Sequence, residues 1–194
     1  MLDALVPEPM KAILRSGVLA LAITALAVPA NAGPYEDGLA AYQRGDYATA
    51  LDYLRPQAEQ GDVNAQYDLA LMYFNGEGVP QDFTEAEKWW RKAAEQGNAE
   101  AQYNLGVMYA NRRIVPQDNA DAVKWYYKAA EQGHAKAQFK LGAMYFSGDG
   151  VLQDDAEAVK WFRLAAEQGD VYTQHKLDAD AQLQTGIKED RPGL

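Results

Sequence analysis

Apolar and polar positions between residues 63 and 170 alternate at helical spacing, and the whole pattern returns in register every 36 residues. In the first unit, 63–98, Ala65, Leu69, Met72 and Tyr73 lie on one face of a predicted helix. Gly76 and Gly78 end it, because glycine adopts the left-handed conformation that closes a helix. Asp82 opens a second helix with Glu85 three residues on, the arrangement of a capping box. Ala86, Trp89, Ala93 and Ala94 form its packing stripe, Gly97 ends it, and Asn98 is placed to cap the helix that follows. Units 99–134 and 135–170 align without a gap, with Asp118/Asp121 and Asp154/Glu157 as the equivalent start signals. Asp62, His134 and Asp170 take the place of Asn98 at the other unit boundaries.

A fixed period of this length implies hairpins that cannot bury their apolar faces alone and therefore stack. The expected fold is all-α: a right-handed α-α superhelix, or solenoid, of helix-turn-helix repeats of about 36 residues. Residues 35–62 read as a tighter, tetratricopeptide-like hairpin turning at Gly45-Asp46-Tyr47. Residues 171–183 read as a last first-helix whose Asp178 and Asp180 suit a terminal cap, and 184–194 as a flexible tail.

The units resemble Sel-1-like repeats, relatives of the tetratricopeptide repeat that run slightly longer. The resemblance rests on Ala101, Tyr103, Leu105, Gly106, Met108, Tyr109, Asp118, Ala122, Trp125, Ala129, Ala130 and Gly133, with their counterparts one period away. It implies that the first helices line an inner, concave wall. Two departures concern the middle unit. Arg112-Arg113-Ile114 stands where the others have Gly76-Glu77-Gly78 and Gly148-Asp149-Gly150, so that loop is expected to take another path. Ala110 stands where the others have Phe74 and Phe146, which leaves a shallow hollow unless the packing absorbs the lost ring.

The N-terminus reads as a secretory signal over 1–32. Lys11 and Arg15 precede an apolar stretch at 17–28, and Pro29-Ala30-Asn31-Ala32 predicts cleavage after Ala32. That stretch is shorter than the ~20 residues of a spanning helix. Met10 is the more natural start, since 1–9 carry acids ahead of the pattern. The expected destination is the periplasm or the exterior of a bacterial cell. A net charge of −10 over 194 residues disfavours nucleic acid and anionic lipid, and with no cysteine the exported chain forms no disulfide. No membrane insertion is expected after cleavage, and the expected state is a monomer.

Nothing in the pattern assembles a catalytic set. His134 and His175 stand apart, Ser147 is the one serine beyond the leader, and neither G-x-S-x-G nor S-x-x-K occurs around it. Gly148-Asp149-Gly150 with Asp154 and Asp155 lacks the ladder of a calcium loop. Trp89, Trp125 and Trp161 recur once per repeat, as core residues do, rather than forming a sugar platform. Secreted proteins with similar repeats that have been linked to penicillin binding are cysteine-rich, unlike this chain. The expectation is no catalytic residue, no metal and no cofactor.

Positions that differ between units mark what the architecture leaves open. In the first helices these are Asn64, Asp68, Leu71 and Asn75, stepping by four, three and four along one face. Their counterparts are Glu100, Asn104, Val107 and Asn111, then Lys136, Lys140, Ala143 and Ser147, and finally Tyr172, Lys176, Ala179 and Leu183. The face changes from acidic and amide-rich to basic, and it is the predicted binding site for a partner protein or peptide carrying both charges. Arg112 and Arg113 are a candidate secondary contact for carboxylates. The expected function is a non-catalytic scaffold or adaptor in the cell envelope; the alternative is a binder of cell-wall (peptidoglycan-related) ligands or a hydrolase-associated protein.

Overall fold

A computed structural model describes residues 33–111, 114 and 116–168. The predicted leader, Arg112 and Arg113, the cap with Tyr172 and Lys176, and the tail lie outside them. Among the described residues there are eight helices and no strand: α1 (Pro34–Gln43), α2 (Tyr47–Glu59), α3 (Val63–Asn75), α4 (Phe83–Glu95), α5 (Ala99–Ala110), α6 (Asn119–Glu131), α7 (Ala135–Ser147) and α8 (Asp155–Glu167). Each helix packs on the next in the chain, within a hairpin and then across to the following hairpin, which makes an α-α solenoid. None of these helices is long and apolar enough to cross a membrane.

The core runs as one column through the stack. Leu54, Leu69, Met72, Leu105, Met108 and Leu141 are its large, fully enclosed side chains. Small residues let neighbouring helices approach: a Cβ added at Gly106 would stand 2.5 Å from the Tyr126 ring, and one at Gly142 would stand 2.9 Å from Phe162. Trp89, Trp125 and Trp161 are only 6, 7 and 5 per cent exposed, with Lys92 and Lys128 lying 4.0 and 4.4 Å above the first two rings. They fill the core and offer no open aromatic platform.

Helix starts follow side-chain chemistry. Asp62, Asn98 and His134 accept from the backbone N–H groups of Ala65, Ala101 and Ala137 at 2.8, 2.8 and 3.1 Å. His134 does this through Nδ1. At α4, α6 and α8 the capping box is only half formed. The Asp82 carboxylate accepts from Thr84 and Glu85 N–H, but the Asp82 N–H donates to the Tyr73 carbonyl at 2.9 Å. Its donor is therefore already used, and Glu85 pairs with Lys88 instead. Asp118 with Tyr109, and Asp154 with Tyr145, repeat this.

A polar ladder marks every described seam between units. Gln66, Gln102 and Gln138 are 3, 4 and 4 per cent exposed. Each donates to a carbonyl of the preceding second helix: Ala58, Ala94 and Ala130, at 3.1, 2.9 and 3.1 Å. Each also accepts from the amide of Gln96, Gln132 or Gln168 at the end of its own unit, at 2.8, 2.7 and 2.8 Å. The burial of these polar groups is thereby compensated.

The loops explain the departure in the middle unit. Gly78 and Gly150 have positive φ of 72° and 73°, and both touch the preceding unit's second helix. A Cβ at 150 would lie 2.3 Å from the Asn119 carbonyl. Ile114 occupies the equivalent place and cannot follow that path. Accordingly α5 ends at Asn111 in extended conformation, with φ −113°, where α3 and α7 end at left-handed Gly76 and Gly148.

A candidate interaction face on the first helices

The first helices α3, α5 and α7 turn their variable positions away from the core. Asn64, Asn75, Glu100, Lys136, Lys140 and Ser147 are exposed. Asp68, Leu71, Asn104, Val107, Asn111 and Ala143 are half-buried, and Leu71 and Val107 lean against the core from its edge.

The acidic and basic parts of this face differ in how they are held. Tyr35 of α1 donates its hydroxyl to Asp68 Oδ2 at 2.9 Å. Burial pushes the Asp68 carboxyl above its ordinary range, and the Tyr35 hydrogen bond opposes that without cancelling it. Burial likewise raises the Tyr35 phenol, further helped by the Asp68 charge. Burial also raises the Tyr67 phenol of α3. Tyr42 donates to Glu77 at 2.7 Å. Glu100 lies 3.2 Å from Nε2 of His134. Acceptors at the first two units are thus partly committed to neighbouring helices.

The third unit is different. Tyr103, the counterpart of Tyr67, stacks on the His134 ring with centroids 4.7 Å apart. Phe139, the next counterpart, has no hydroxyl. Among the described residues no carboxylate pairs with Lys136 or Lys140; the ion pairs present are Lys88–Glu85, Arg91–Glu87, Lys124–Asp121 and Lys160–Glu157. The face therefore presents two unneutralised cations at one end.

A hollow opens beside those lysines. It holds about 210 Å³ between the second and third units, with Ala110, Tyr126, Lys140, Ala143, Ser147 and Asp149 among its walls. This is where sequence comparison places the missing phenyl group. Tyr126, which forms part of the wall, has its phenol raised by burial. Among the described residues no group of three or more His, Cys, Asp or Glu side chains is placed to hold a metal ion.

On the second helices, Arg91 contacts both Glu87 and the Tyr109 hydroxyl of the following unit. Burial pushes the Tyr109 phenol up to about 12, with the bonded Glu87 adding to it. Arg55 repeats the contact to Tyr73 at 3.2 Å.

The pattern that defines the Sel1 repeat matches residues 21–62, 63–98, 99–134 and 135–170. The chain belongs to the Sel1 repeat family. The pattern's first match extends over the hairpin α1–α2, whose tight turn at Gly45-Asp46-Tyr47 reads as tetratricopeptide-like. Proteins of this family are protein–protein interaction scaffolds and generally non-catalytic. Among solved structures the chain is similar to c5321, a protective antigen of uropathogenic Escherichia coli displaying an SLR fold. The TM-score is 0.71 and the identity 46%, over 74% of this chain and 32% of that one. It is also similar to a Sel1 repeat protein from Oxalobacter formigenes, at TM-score 0.68 and 39% identity over 72% and 57%. Cysteine rich protein B of Helicobacter pylori shares the fold, with TM-score 0.54 and 22% identity over 67% of this chain and 93% of that one. The chain thus spans about a third and just over half of the first two relatives. None of the curated proteins matches it.

Proposed function

We propose that this Sel1 repeat protein is an exported, non-catalytic adaptor of the bacterial cell envelope that binds a partner protein or peptide along its first-helix face. The observation that supports it most is the pair Lys136 and Lys140, exposed and without a carboxylate partner among the described residues, on a face whose packing neighbours repeat while its own side chains differ. Charged groups placed so set orientation and rate of encounter more than raw affinity. Export rests on the basic, apolar and small-residue pattern of 1–32. The extension of the groove through Tyr172 and Lys176, and any contribution of Arg112 and Arg113, belong to the same proposal.

The test is affinity capture from the exporting organism, comparing the wild type with Lys136→Glu/Lys140→Glu. The reversed pair is expected to lose specific partners while keeping its helical circular dichroism spectrum. An unchanged partner set would overturn the groove. Turnover of cell-wall fragments, or covalent labelling by a β-lactam, would overturn the non-catalytic reading.

A further inference from the structure

In the first unit Phe74 packs its ring against Phe83 and Trp90, with centroids 5.4 and 5.2 Å away. One period on, these three positions hold Ala110, Asn119 and Tyr126. Two of the three rings are gone, and the hollow of about 210 Å³ stands in their place. An engineered cavity of about 150 Å³ accepts benzene, so this space admits an aromatic ring. The Tyr126 side chain is 2 per cent exposed. Lys140 forms part of the rim, and Lys136 lies one turn before it on the same helix.

We infer that the hollow at Ala110 is an anchor pocket for one aromatic side chain of a partner segment that carries carboxylates beside it. The ring takes the place that Phe74 fills in the first unit and packs on Tyr126. The adjoining carboxylates meet Lys140 and Lys136, neither of which forms an ion pair among the described residues; Asp149, the carboxylate on the hollow's wall, accepts from the Ser147 hydroxyl at 2.8 Å. A basic flanking segment would instead meet these two cations unfavourably. The inference rests on the first-helix groove and names what one part of it selects.

The probe is a fluorescein-labelled peptide of Gly, Ser and Glu with a single central Phe, titrated into the exported protein by fluorescence polarisation and by amide chemical shifts. Phe→Ala in the peptide is expected to weaken binding about tenfold or more, as the loss of one buried ring does. The same loss is expected from Ala110→Phe, which refills the hollow with the residue the other units carry, at unchanged thermal stability. Exchanging the peptide's Glu residues for Lys should abolish binding, and Lys140→Glu should restore part of it. Shift changes should centre on Ala110, Tyr126 and Ala143. Equal binding by the Phe and Ala peptides, full binding by Ala110→Phe, or no binding by any peptide overturns the pocket. If Phe makes no difference yet Lys136→Glu/Lys140→Glu still loses partners, the anchor fails and the groove stands.

Discussion

Gln66, Gln102 and Gln138 show how much a single residue type contributes when it is placed identically at every seam. Each is almost fully enclosed, with one donor and one acceptor used. Gln102→Leu keeps the volume but leaves the Ala94 carbonyl and the Gln132 amide without their partner. The expected cost is ~1–3 kcal/mol, read as a lower urea midpoint at unchanged slope. Gln132→Ala, whose own site is exposed, should cost less than half as much. Asp68 gives a pH-dependent case. Burial raises its carboxyl, so its contribution to stability is most favourable below the unfolded value of about 3.9 and is lost as pH rises through the folded value. Asp68→Asn keeps an acceptor for the Tyr35 hydroxyl and carries no charge. It is expected to be more stable than the parent at pH 7 and to differ little from it at pH 3, by urea unfolding at both values. A gain independent of pH would contradict this. Neither role was visible in the chain: a helical Gln reads as solvated, and the partner of Asp68 sits in the divergent first hairpin.

At the level of helices, sequence reading located the second-helix starts, the glycine ends and the first-helix caps because local chemistry decides them. It misread the reciprocal half of the capping box, since whether the Asp82 N–H is free depends on the Tyr73 carbonyl of the preceding helix. It likewise treated the variable face as uniformly open, whereas Tyr35 reaches across to Asp68 and His134 to Glu100. The hollow at Ala110 was foreseeable, because the loss of a phenyl group in one unit of three is a volume change that needs no coordinates. Gly106 tests the packing account. Ala at that position improves helix propensity by ~1 kcal/mol, but its Cβ would meet the Tyr126 ring at 2.5 Å. Overpacking of this kind costs ~1–3 kcal/mol, so Gly106→Ala is expected to lower the melting temperature despite its better propensity. A rise would contradict the close approach of α5 and α6.

Across the whole molecule, stability is shared between hairpins and the seams that join them, as in other stacked repeats. That division keeps the seams constant while the first-helix surface varies, so its chemistry changes from Asp68 to Lys140 within one architecture. If electrostatics at Lys136 and Lys140 guides the partner, association should slow as ionic strength rises, because exposed charges are screened within ~8 Å at physiological salt. Photo-crosslinking from single sites in cells that produce the protein tests the central claim most directly. A benzophenone side chain at Lys136, Lys140 or Asn104 is expected to yield the same discrete adduct. One at the exposed second-helix residues Lys124 or Arg163 is expected to yield none. Adducts from the second-helix sites with none from the first-helix sites would contradict the account.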